Sequence, residues 1–151
     1  MCLCETWLNE NINTKELIFK GFKVYRYDRI CKRGGGLSLL VKNSIESSFQ
    51  DSLQNDYIEV LHISYDNQFF FLKHIIMIYR PPNSSLARFF AQLDIILDKC
   101  DLNQNFLIMG DFNIDCNNKS LNSRKLIILM VSDYKTQRPL MILCIALRPS
   151  I

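Results

Sequence analysis

The run at residues 69–79 (FFFLKHIIMIY) constrains the fold of this 151-residue chain more than any other stretch. Aromatic and β-branched residues dominate it, glycine and proline are absent, and it stops at Arg80-Pro81-Pro82. Such a run suits a strand buried on both faces, which needs a covering layer above and below. Residues 37–41 and 58–63 also read as strands, and 106–109 reads as a short buried strand ending at Gly110-Asp111. After Pro82, Ser84 or Ser85 can cap a helix. Its Phe89, Phe90, Leu93, Ile96 and Leu97 recur at helical spacing to about Cys100, with Arg88, Gln92 and Lys99 on the outer face. A second helix is expected over about 121–131. Strands alternating with helices predict an α/β architecture, a sheet with flanking helices.

No apolar run reaches the roughly 18 residues that span a bilayer. His74 and Arg80 bracket one such run, and Pro139 and Arg148 bracket the other. The first residues lack the basic and apolar regions of a secretory signal, so an intracellular setting without membrane contact is expected. The six cysteines, at 2, 4, 31, 100, 116 and 144, form neither a C-x-x-C pair nor a zinc-ligand cluster and read as reduced packing residues. A net charge of +3 does not by itself imply a polyanion partner. Its distribution is uneven: Lys20, Lys23, Arg26, Arg29, Lys32 and Arg33 face Asp28 alone over 20–33, a stretch suited either to phosphate or to plain solvation.

Three polar groups stand where apolar runs end: Glu5, then Tyr79-Arg80-Pro81-Pro82, then Gly110-Asp111-Phe112-Asn113. Loops leaving buried strands are where α/β proteins usually place their sites. Each group taken singly is ordinary at a strand end or turn. Their order is not. Glu5-Thr6-Trp7-Leu8, Asp28-Arg29 with Arg33-Gly34-Gly35-Gly36, Tyr79-Arg80-Pro81-Pro82, and Gly110-Asp111-Phe112-Asn113-Ile114-Asp115 follow one another in the order of a known family. Over roughly residues 3–137 the chain resembles the endonuclease/exonuclease/phosphatase superfamily, most of all the apurinic/apyrimidinic-like endonuclease domain of non-long-terminal-repeat retrotransposons.

That resemblance implies an α/β sandwich and a DNA endonuclease dependent on magnesium or manganese, encoded beside a reverse transcriptase region in a parent polyprotein. It implies that Glu5 holds the ion and Tyr79 contacts the phosphate beside the scissile bond. Asp111 would help activate the attacking water, and Asn113 would steady the pentavalent phosphorus. Residues i and i+2 of an extended loop point the same way, which would let Asp111 and Asn113 reach one phosphate. Arg26, Arg29 and Arg33 can grip a nucleic-acid backbone, through positioning rather than base readout. Phe112 and Trp7 read as core packing.

The departures set further expectations. The family's opening strand and asparagine-bearing loop have no counterpart before Glu5, and its closing Ser-Asp-His block has none either. His62 and His74 both precede Tyr79, and Asp133 reads as a solvated residue on the second helix. The expected sandwich is thus partial over 1–137, lacking its first segment and final strands. An unrelated apolar tail is expected over 138–151, one that would be an aggregation risk as an unpartnered strand. Cleavage by this chain is expected to be weak or absent. A non-catalytic remnant that binds nucleic acid, and a phosphatase or phosphodiesterase with a non-nucleic-acid substrate, are the rival readings.

Overall fold

The computed structural model describes residues 1–30, 33–66, 72–99, 105–114 and 141–144. The strands are β1 (Cys2–Cys4), β2 (Phe22–Tyr27), β3 (Leu37–Lys42), β4 (Ser47–Gln54), β5 (Glu59–Tyr65), β6 (His74–Tyr79), β7 (Phe106–Asp111) and β8 (Met141–Cys144), with helix α1 (Leu86–Lys99) between β6 and β7. They form a three-stranded sheet in the order β1-β3-β2 and a five-stranded sheet in the order β4-β5-β6-β7-β8. The fold is an α/β sandwich, as the family resemblance implies; the patterning alone predicts one sheet with flanking helices and does not show that the strands divide between two sheets.

Strand alternation explains the layering. Leu61, Ile63, Tyr65, Met77 and Tyr79 of the larger sheet meet Leu37, Leu39 and Val41 of the smaller one, with Tyr25 and Tyr27 packed alongside. The intervening positions Val60, Ile76, Ile78 and Ile108 face the other way and meet Phe89, Phe90, Leu93 and Leu97 of α1. Both faces of β5 and β6 are therefore covered. Each fully buried large side chain in such a core contributes about 1.5–3 kcal/mol relative to leaving it exposed.

The helix begins where its caps allow. Ser85 Oγ accepts from the Arg88 amide at 3.4 Å, and the Ser85 carbonyl accepts from the Phe89 amide at 2.9 Å. α1 carries the chain from β6 to β7, which pair in parallel. A crossover of this kind requires such a connection.

Three strands escaped the sequence reading: β1, too short to show a pattern, β2 and β4. β4, with the sequence SSFQDSLQ, is an edge strand exposed over much of its length. It lacks an apolar stripe because only β5 flanks it. β2 lies inside the basic stretch, where its cations obscure the alternation of Tyr25 and Tyr27. The tail expected to lack a partner pairs at 141–144, in parallel with β7, whose backbone edge would otherwise have no neighbour there. The 69–71 part of the long apolar run, the helix expected over 121–131, Asp115 and Asp133 lie outside the described residues. Among the described residues, no helix is long and apolar enough to cross a membrane.

Candidate active site

Sheet register builds the site. Glu59 is paired with Tyr79, and Tyr79 with Asp111, so three neighbouring strands set these residues in one row. Parity with Leu61 and Met77 turns Glu59 and Tyr79 toward the smaller sheet. Glu5, just beyond β1, comes down on this row from that sheet. Tyr79 donates its hydroxyl proton to Glu5 Oε1 across 74 residues of sequence. Glu5 and Asp111 line one cleft of about 330 Å³ with Cys2, Leu3, Cys4, Met109 and Gly110. Of the four residues expected to converge, Glu5, Tyr79 and Asp111 meet here, and Asn113 joins through its amide bond to Asp111.

The Glu5 carboxylate is held from several sides. Its Oε2 accepts from the Gly35 amide and from Trp7 Nε1, each at 2.8 Å. Burial pushes its pKa up, but the bonds from Tyr79, Gly35 and Trp7 and the charge of Arg29 outweigh that and hold it below the usual carboxylate range. A carboxylate has about four acceptor positions, and these contacts use three. The remaining one, on Oε1, fits a hard cation. Asp111 shows the opposite balance. Burial leads in raising its pKa and the Glu5 charge adds to that, against the Asn113 amide and the Arg80 charge. Burial and the bond to Glu5 push Tyr79 far above the phenol range, so it remains a hydroxyl donor. The neighbouring Cys4 is pushed up to about 11, chiefly by burial, and stays a thiol. With no thiolate beside the carboxylates, the donor set is hard oxygen. Among the described residues, no three Asp, Glu, His or Cys gather into a protein cage for a metal. Magnesium characteristically uses one or two carboxylates and completes its shell with water and substrate phosphate, which fits Glu5 with Asp111.

The Asp111 loop is not extended, contrary to the i, i+2 argument. Asn113 adopts φ 48°, its amide donates to Asp111 Oδ1 at 2.9 Å, and its Nδ2 donates to the Arg80 carbonyl at 2.8 Å. Phe112 points into the α1 core as expected. Sequence reasoning missed what holds this loop. Buried Arg80 donates to the carbonyls of Phe112 and Asn113, each at 2.6 Å, and of Ser84 at 2.8 Å. One guanidinium thus ties the 111–113 loop to the residues just before α1. The missed signal was an arginine placed directly after a doubly buried strand.

The basic stretch divides into three fates. Arg29 pairs with the buried Glu59 and lies 5.5 Å from the centre of the Tyr79 ring. Glu59 also accepts from the Gly36 amide at 2.8 Å. A carboxylate inside the apolar run 58–63 was the available signal for this network. Arg26 lies on the opposite face of β2 from Tyr25 and Tyr27, and is not brought to the carboxylates. Its guanidinium pairs with Asp28 and closes the 9–12 loop through the carbonyls of Ile12 and Asn9 at 2.6 and 2.8 Å. Arg33 is exposed and stacks over Trp7, 5.1 Å from the ring centre. Trp7 itself is no core residue, being 55% exposed. Glu5 and Trp7 both have left-handed backbone, φ 56° and 57°, a conformation costing about 1–2 kcal/mol per side-chain-bearing residue. Strain of this kind gathers at functional sites.

His62 and His74 bond to each other at 3.0 Å, on the α1 side of the larger sheet. His74 stands five residues before Tyr79 on β6, which places it roughly 17 Å away along the strand. The pair therefore lies away from the Glu5–Asp111 cleft.

Two sheets thus bring Glu5 and Asp111 to one cleft, with Tyr79 bonded to Glu5 and the Asn113 amide bonded to Asp111. The family model described as Endonuclease/Exonuclease/phosphatase family matches residues 1–134, and the chain belongs to that family. Its members are generally hydrolytic enzymes of nuclease or phosphatase type. No curated protein matches the chain.

Proposed function

We propose that this chain is a magnesium-dependent phosphodiesterase acting on DNA, of the kind retrotransposons encode beside a reverse transcriptase, and that its intrinsic rate is low. The observation that carries the reading is the meeting of Glu5 and Asp111 in one cleft, from two different sheets, with Tyr79 bonded to Glu5. The order of the four motifs supports the DNA-cleaving member of the family over its phosphatases.

Glu5 would hold the ion through the free position on Oε1, with Asp111 beside it. A bound divalent cation neutralises phosphate charge and stabilises the leaving alkoxide. Asp111, with its proton affinity raised, is suited to take the proton of an attacking water. Asn113 keeps one amide N–H beyond its bond to Arg80 and can donate it to a phosphate oxygen. Tyr79 serves Glu5 in this arrangement, and its phenol also lies within the site. The chain's only two histidines pair with each other elsewhere, so no imidazole from this chain faces the phosphate. Lacking one such donor typically costs about 10²- to 10³-fold in rate.

Supercoiled plasmid incubated with the purified chain tests this. Slow conversion to open circles that needs magnesium, stops with chelator and disappears in Asp111→Ala is expected. Absence of conversion, or conversion indifferent to chelator and to Asp111→Ala, would overturn the reading. Faster release of phosphate from a monoester would point to the phosphatase alternative.

A further inference from the structure

Trp7 is the only tryptophan in the chain, and it is more than half exposed beside the catalytic carboxylate. An exposed indole that contributes little to a core calls for another explanation. This one is held firmly. Its Nε1 donates to Glu5 at 2.8 Å, its backbone amide donates to the Gly35 carbonyl at 3.0 Å, and Arg33 lies over its ring. Gly34 lies close enough that a Cβ there would stand 3.9 Å from the indole. The left-handed backbone at Trp7 is maintained against its own preference. A flat, preorganised aromatic surface loses little freedom when a planar ligand stacks on it.

We propose that Trp7 and Arg33 form a platform that stacks an unpaired nucleobase next to the phosphodiester at Glu5, which rests on the phosphodiesterase reading above. Position dictates the ligand. A nucleotide whose phosphate reaches Glu5 and Asp111 carries its base within a nucleotide's length of the indole. Arg33 supplies both a cation over the ring and a charge for the neighbouring phosphate. Stacking on an aromatic side chain is tolerant of sequence, since every base has a π-face, and it requires a base that has left its duplex neighbours. The chain should therefore prefer single-stranded, frayed or flap-bearing DNA to intact duplex. Trp7 acts here through substrate, and its bond to Glu5 fixes the ring's orientation.

A single tryptophan makes the test direct. The full-length chain is titrated, with calcium replacing magnesium to suppress cleavage, with a labelled thymidine oligomer and with an oligomer of equal length built entirely of abasic units. Label anisotropy reports binding, and indole emission reports contact with Trp7. The thymidine oligomer should quench the emission and bind about 5- to 150-fold more tightly than the abasic one. Trp7→Ala should abolish that difference. Trp7→Phe, which keeps a ring and loses the bond to Glu5, should retain most of it. Equal binding of the two oligomers, or a Trp7→Phe variant that behaves like Trp7→Ala, would overturn the platform while leaving the phosphodiester site standing. Binding of neither oligomer would overturn the phosphodiesterase reading and the platform with it.

Discussion

Replacing Gly110 by alanine should damage this protein more than any other single methyl group added to a glycine outside the 34–36 turn. Gly110 sits on β7 directly before Asp111, with φ 149°, and pairs with Ile78 on β6. A Cβ built there would stand 1.8 Å from the Ile78 carbonyl oxygen and 2.7 Å from its carbonyl carbon. Both atoms are backbone, so no rotamer change relieves the clash, and β6 and β7 must separate where Tyr79 and Asp111 face one another. Backbone strain at such a φ costs about 1–3 kcal/mol, and overpacking a tight interior typically adds about 1–3 kcal/mol. A loss of about 2–6 kcal/mol is expected, a large share of the roughly 5–15 kcal/mol of a whole domain. Gly21→Ala is the control. Its φ is 85°, but no atom lies within 4 Å of the added carbon, so only strain of about 1–2 kcal/mol applies. Urea unfolding followed by far-ultraviolet circular dichroism measures both variants. Values for Gly110→Ala and Gly21→Ala within about 1 kcal/mol of each other would refute the reasoning, because steric conflict between β6 and β7 is all that separates them.

Three further outcomes follow from the site. Arg80→Met leaves the Phe112, Asn113 and Ser84 carbonyls without their donor. Nicking should fall at least tenfold, on the order of one lost positioning interaction, while oligonucleotide affinity by anisotropy changes little. A parallel loss of affinity would contradict a positioning role. Glu59→Gln faces Arg29 with a neutral group in a buried position, which should cost about 3–5 kcal/mol in urea unfolding. The double variant with Arg29→Met should recover part of it, and simple additivity would show that the pair is not coupled. The pH profile of nicking should have its acid limb above the ordinary aspartate value. Asp111 has its pKa raised, first by burial, and it must lose its proton to accept one from water, whereas Glu5, held low, is already ionised there. The rate should therefore fall as pH drops through the Asp111 pKa. A limb at or below the ordinary aspartate value would remove Asp111 from the role of base.

Much was legible in the chain as written, wherever a property is local. The doubly buried β6 declares itself through unbroken apolar residues, α1 through its 3.6-residue stripe and serine cap, and Phe112 through its place between two polar neighbours. The order of the four motifs was enough to place the family, and with it Glu5, Tyr79 and Asp111 as partners in one site. Tertiary structure decided what depends on a distant partner. β4 is a strand because β5 hydrogen-bonds to it, not because SSFQDSLQ has a pattern. Arg26 and Arg29 look alike in a basic run, yet one closes a loop on the outer face and the other meets Glu59 behind Tyr79, because alternation along β2 ends before Arg29 and the turn carries it inward. The left-handed turn of Asn113 depends on an arginine 33 residues earlier. Trp7 looks like a core residue in composition and is an exposed one in space, since its indole N–H found the Glu5 carboxylate at the rim of the cleft. Hydrophobic period and capping act over a few residues and can be read from them. Side-chain hydrogen bonds and ion pairs across sheets are set only when the backbone has brought their atoms within about 3 Å.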